Sequence, residues 1–88
     1  MEYEWDWAKA EVNFAKHGVS FESVELFEWT DALIVEDTRH PYGERRYYAL
    51  GLIEGRVHVL IFTRREKAVR VISLRKANDR ERRRYEQG

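Results

Sequence analysis

Residues 64–88 carry ten cationic side chains, Arg64, Arg65, Lys67, Arg70, Arg75, Lys76, Arg80, Arg82, Arg83 and Arg84, against four acids, Glu66, Asp79, Glu81 and Glu86. Residues 1–63 carry six cations and twelve acids, so a net charge of zero hides a basic end and an acidic end. Such a split suits a polyanion at one end of the molecule. The plain alternative is two solvated faces that balance each other. The basic residues fall in three places: a loop (Arg64-Arg65-Glu66-Lys67), a strand end (Arg75-Lys76) and a helix. If the strands pair, these places form a cationic rim on a sheet.

The chemistry that suits this set is RNA cleavage by the substrate's own 2′-hydroxyl. That reaction needs a base near the hydroxyl, cations on the phosphate as charge builds, and an acid at the leaving oxygen. Arg64, Arg75 and Lys76 are the expected phosphate-stabilising group, because a hairpin tip and a neighbouring strand end can converge on one phosphate. Glu66, Lys76, Tyr85 or a histidine could move protons. Arg65, Lys67, Arg80, Arg82, Arg83 and Tyr85 are the expected RNA-binding residues. Arginines that dock phosphate without catalysis are the competing reading.

Other chemistries find little support. His17, His40 and His58 lie far apart, without metal-ligand spacing, and no metal or cofactor is expected. Glu36 and Asp37 are adjacent on an expected strand, so their carboxylates point to opposite faces. The five glycines are scattered rather than gathered in a phosphate loop. Ser73 has no nucleophile-elbow context. His58 alternates with Leu60 and Phe62, which suits a partly buried, hydrogen-bonded strand histidine. His17 falls in the last turn of an expected helix, where the dipole favours an imidazolium. His40 sits in a loop, with no role indicated.

The elements that must position these residues follow from periodicity. Tyr3–Trp5 alternates and suits an edge strand. Asp6 suits an N-cap for a helix over Trp7–His17, with Trp7, Ala10 and Phe14 on its apolar face and Lys9, Glu11, Asn13 and Lys16 outward. Gly18 suits its C-terminal stop. Ser20 suits the N-cap of a second helix running to about Trp29, with Val19 stapled to Val24. Strands are expected over Leu33–Asp37, Arg46–Leu52, Val57–Thr63 and Val69–Arg75, with Glu54-Gly55 as a tight turn. The last two strands are each expected to bury one face, Val57, Val59 and Ile61 on the first and Val69 and Val71 on the second. A basic helix follows from Asn78 to about Gln87; Asn78 and Glu81 have capping-box spacing. Tyr85 is its one apolar-bodied residue, so it should bind a partner or fray. The expected fold class is α+β: two N-terminal helices on an antiparallel sheet of about four strands, with a C-terminal basic helix, in a single domain over residues 1–88.

Composition sets the outer bounds. At 88 residues, 43% apolar and 14% aromatic, the chain has enough core for one domain. It contains no cysteine, which fits a reducing cytoplasm. Glu-Tyr-Glu-Trp follows Met1, so no signal peptide is expected, and no apolar run is long enough for a membrane helix.

Several stretches resemble one family. Glu4-Trp5-Asp6-Trp7-Ala8-Lys9-Ala10 and Asn13-Phe14-Ala15-Lys16-His17-Gly18-Val19-Ser20-Phe21 resemble the N-terminal signature of the BrnT toxins. Asp37-Thr38-Arg39, Glu44-Arg45-Arg46-Tyr47 and Leu50-Gly51 are similar to its middle. Ile72-Ser73-Leu74-Arg75-Lys76-Ala77 and Glu81-Arg82-Arg83-Arg84-Tyr85-Glu86 are similar to its C-terminus. The position after Asp6 is often proline in that family; Trp7 stands there here. The resemblance implies a RelE-like ribonuclease toxin of a type II toxin–antitoxin system that blocks translation. It also implies a cognate antitoxin that neutralises the toxin and binds operator DNA, and a toxin dimer within the complex, so that DNA is met only through the antitoxin. A nucleic-acid-binding module without catalysis and a module for an acidic protein partner are the alternatives.

Overall fold

The structure is a computed structural model that describes residues 1–39 and 41–88; His40 lies outside the described residues. The elements run β1 (Glu2–Glu4), α1 (Trp7–His17), a 3₁₀ helix (Phe21–Leu26), β2 (Glu28–Asp37), β3 (Arg46–Ile53), β4 (Arg56–Arg65), β5 (Ala68–Lys76) and α2 (Asp79–Gln87). The α+β class is as expected. The sheet has five strands in the order β1-β5-β4-β3-β2, and it is mixed: β1 lies parallel to β5, and the other pairs are antiparallel. A parallel pair needs a long crossover. Here everything from α1 to β4 makes that crossover, which no local pattern reveals.

The second N-terminal helix is a correction. After Ser20 the chain makes only a 3₁₀ turn, and Ser20 makes no side-chain cap. Phe21 and Val24 are buried, and at Phe27 the backbone is already extended. The next strand begins at Glu28 rather than Leu33 and absorbs a bulge between the two. Three apolar anchors in the sheet core hold this segment, and a longer helix would rotate Phe27 away from its seat on Gly51.

The buried stripe of α1 is also not the expected one. Trp7 and Phe14 stay 69% and 56% exposed, while Asn13 is 7% exposed. Asn13 Nδ2 donates to the carbonyls of Leu74 (2.8 Å) and Val19 (3.1 Å), and its Oδ1 accepts from the Leu74 N–H (3.3 Å). β1 pairs only with residues 68–70 of β5. Beyond that, Asn13 takes the place of the missing neighbouring strand. The caps of α1 are as expected: Asp6 accepts from the Lys9 N–H, and Gly18, at φ 70°, closes the helix.

β4 is central and buries both faces rather than one. Leu60 and Phe62 join the core beneath α1 and the 3₁₀ turn, and Val57, Val59 and Ile61 join a second cluster beneath α2. A bulge shapes β5. Ile61 faces Ser73 and Phe62 faces Val71, so Ile72 is the extra residue. Val71 and Leu74 therefore share the core beneath α1, although their spacing in an unbroken strand would send them to opposite faces. The same half-turn sends Arg75 to the α2 face and Lys76 to the α1 face.

Candidate active site

The expected convergence of hairpin tip and strand end does not occur. Arg64 lies opposite Val69 and Arg65 opposite Ala68, whereas Arg75 lies opposite Val59. Val69 and Arg75 are six residues apart along β5, about 20 Å at strand rise. Arg64, Arg65, Glu66 and Lys67 thus occupy one end of the sheet and Arg75 and Lys76 the other, because antiparallel pairing puts a hairpin's turn opposite its open end. At the tip Arg65 reaches Glu44 at 3.5 Å. On α2, Arg80, Arg82 and Arg83 are exposed, and Arg82 stands 3.5 Å from Asp79. Tyr85 is not free to stack on a base, since it packs in the second core cluster with Leu52 and Ala77. α2 is neither a frayed tail nor polar all round in effect. Its capping box is formed, with bonds of 2.9 Å each way between Asn78 and Glu81.

The groups that do converge surround Arg75. Its guanidinium makes a fork with Glu81, Nη1 to Oε1 and Nη2 to Oε2, both 2.8 Å. The Tyr48 hydroxyl donates to Glu81 Oε2 at 2.9 Å. One carboxylate thereby caps α2, holds Arg75 and orients Tyr48. Arg75 holds the Glu81 carboxyl well below its usual range, at about 2. Burial and the bond to Glu81 push the Tyr48 phenol up to about 12. Arg75 also acts on His17 and feels the charge of Arg39, and Arg84 acts on Tyr48. His17 closes α1, where the helix dipole favours its charged form. Burial and the cations Lys16 and Arg75 outweigh the dipole and lower its pKa. A neutral imidazole within the field of a fixed arginine can accept a proton at neutral pH.

A groove of about 330 Å³ runs between α1 and the uncovered edge of β5, lined by Lys9, Lys16, His17 and Ser73 among others. On the β2 side, Arg39 is held by buried Asp37 through Nε and Nη2 at 2.8 and 2.9 Å. The bond to Arg39 draws the Asp37 carboxyl down to about 2. The Arg46 guanidinium sits 4.1 Å from the centre of the Tyr42 ring. Among the described residues no three His, Cys, Asp or Glu side chains gather as metal ligands would.

Over residues 5–81 the sequence matches the family described as the ribonuclease toxin, BrnT, of type II toxin–antitoxin systems. The chain belongs to the BrnT family. No curated protein matches it. Membership of a toxin–antitoxin family carries with it a cognate antitoxin. The matched residues include His17, Asp37, Arg39, Tyr48, Arg75 and Glu81. Of these, residue pattern points by number only to Arg75; Asp37, Arg39, Tyr48 and Glu81 went unread as site residues. Tyr48 reads as one more inward aromatic on a strand, and Glu81 reads completely as a cap. Only the bulge that turns Arg75 toward α2 gives them their second role. His17 carried a signal in its Lys-His-Gly run, beside a helix stop.

Proposed function

We propose that this BrnT-family chain is a metal-independent endoribonuclease whose centre is Arg75. The observation that carries the reading is the fork of Arg75 on Glu81, which fixes the arginine where its charge reaches His17, whose pKa is lowered. In the reaction, a non-bridging phosphate oxygen takes hydrogen bonds from Arg75. His17 accepts the proton of the 2′-hydroxyl as that oxygen bonds to phosphorus. The bond from phosphorus to the 5′-oxygen breaks, and the leaving oxygen takes a proton from Tyr48. A 2′,3′-cyclic phosphate and a 5′-hydroxyl result. Arg39, Arg84 and Lys16 hold flanking phosphates. The hairpin-tip cations Arg64, Arg65 and Lys67, about 20 Å away along β5, and the outer arginines of α2 serve steering rather than the reacting phosphate. Cleavage of messenger RNA stops translation. The cognate antitoxin neutralises the toxin by covering the α2 face, and operator DNA is met through it, with two toxin copies in the complex.

The test is cleavage of a short RNA in excess chelator, with products resolved by mass. Cyclic phosphate ends that form in chelator and vanish for an RNA with a 2′-deoxy at the cut site are expected, with Arg75→Ala at least about a hundredfold slower. Cleavage lost in chelator, or undiminished by Arg75→Ala, would overturn the mechanism. Binding without any cleavage would favour the non-catalytic RNA-binding reading.

A further inference from the structure

The face of the sheet opposite Arg75 carries a second group of cations. His58 and Lys76 are cross-strand partners at the open end of the β4–β5 pair. With Arg56 they line a cavity of about 510 Å³ whose other walls include Phe14, Ser20 and Glu54. His58 is only 6% exposed, yet its Nδ1 is satisfied by donating to the Arg56 carbonyl at 2.8 Å. That bond places the proton on Nδ1 and leaves Nε2 as the free nitrogen. Among the described residues Nε2 has no hydrogen-bond partner, and the only fully buried side-chain polar atom without one is Arg46 Nε. Nε2 is therefore not sealed in the core, and His58 lines the cavity. Arg56 and Lys76 both act on His58, and among the described residues no carboxylate pairs with either of them. Glu54 is the one acid among the lining residues. On the apolar side Phe14 is 56% exposed, an aromatic face next to two unpaired cations.

Unpaired cations, a hydrogen-bonding imidazole and an accessible ring in one concavity match the parts of a nucleotide: phosphate for the charges, base for the ring. We propose that this cavity is a nucleotide-phosphate site separate from the Arg75 centre, in which Lys76 and Arg56 hold the phosphate, His58 donates to it from Nε2 in the imidazolium form that a bound anion favours, and Phe14 stacks on the base. The nucleotide is either free or part of an RNA chain; the chemistry is shared.

The experiment follows the His58 imidazole by NMR in the full chain, titrated with adenosine 5′-monophosphate, inorganic phosphate, adenosine, or a 5′-phosphorylated RNA trinucleotide. A saturable shift of the His58 signals by the monophosphate is expected, with the His58 titration moved to higher pH because the bound anion favours the imidazolium. Inorganic phosphate should act more weakly and adenosine should leave His58 unmoved. Lys76→Ala should weaken the monophosphate by roughly tenfold or more. Phe14→Ala should weaken the monophosphate but not inorganic phosphate. Stronger binding of the trinucleotide would place the site on the RNA path, and equal or weaker binding would assign it to free nucleotides. Arg75→Ala should leave these titrations unchanged, so the site stands or falls apart from the cleavage mechanism. No saturable shift at His58, or binding insensitive to Lys76→Ala, overturns the proposal. Equal response to monophosphate and inorganic phosphate with no effect of Phe14→Ala overturns the nucleotide assignment.

Discussion

Arg75 grips Glu81 through both terminal nitrogens at 2.8 Å, while the same carboxylate accepts the Asn78 N–H and the Tyr48 hydroxyl at 2.9 Å each. Four donors on one carboxylate tie α2 to β5 and β3. The pair is part-buried, with side chains 31% and 13% exposed, so the attraction is less screened than at an open surface.

Acid should loosen this end first. The Glu81 pKa falls from its ordinary 4.5 to about 2 on folding. A depressed carboxylate contributes stability that is full above the unfolded pKa and lost as pH falls through the folded one. Asp37, drawn from 3.8 to about 2, adds to the loss. Thermal melting followed from pH 7 down to about pH 2 should fall below about pH 4.5, and Glu81→Gln should lower the neutral-pH melting point and flatten the acid limb.

Arg75→Ala strands a part-buried carboxylate, so it should cost about 1–3 kcal/mol of stability on top of its effect on cleavage. Arg75→Lys keeps the charge but not the fork. It should recover part of the stability and little of the cleavage rate. Denaturant titration beside the RNA assay separates the two effects.

Asn13→Ala should cost about 1–3 kcal/mol, since it leaves the Leu74 N–H and carbonyl unpaired in a buried place. Val12→Ser, at a neighbouring position 65% exposed, should change stability by less than about 0.5 kcal/mol. Equal effects in chemical denaturation would refute the edge-filling role of Asn13.

Gly51 lies under the Phe27 ring, and a Cβ there would run into it. Gly51→Ala should destabilise by about 1–3 kcal/mol through overpacking. Phe27→Leu in the same chain should recover part of that loss, which a double-mutant cycle measures.

RNA affinity should fall steeply with salt, by roughly an order of magnitude or more between low and physiological ionic strength. Removing one tip cation, Arg65→Ala, should reduce the log–log salt slope by about one if the tip contacts a phosphate. An unchanged slope would restrict RNA to the Arg75 end.

Much of this was legible in the residues. The α1 caps at Asp6 and Gly18, the Glu54-Gly55 turn, the α2 capping box and the strand cores depend on neighbours within a few positions, and local chemistry dictates them. The basic last third of the chain and the toxin family were legible as well. The stripe of α1 misled because Asn13 looks polar and therefore outward, and Trp7 and Phe14 look apolar and therefore inward. The helix is oriented by an unpaired strand edge instead, and only an amide with both a donor and an acceptor can complete that edge.

The site needed tertiary structure for a related reason. Strand alternation predicts the face of a side chain only while the register is unbroken, and the extra residue at Ile72 reverses it for Leu74, Arg75 and Lys76. Residue pattern alone carried α1, α2, the two hairpins and the excess of cations in the last third of the chain, because those properties are local or additive. Which cations meet was decided by antiparallel pairing, which parts Arg64 from Arg75, and by one bulge, which turns Arg75 toward Glu81 and Lys76 toward His58. Both depend on partners far along the chain.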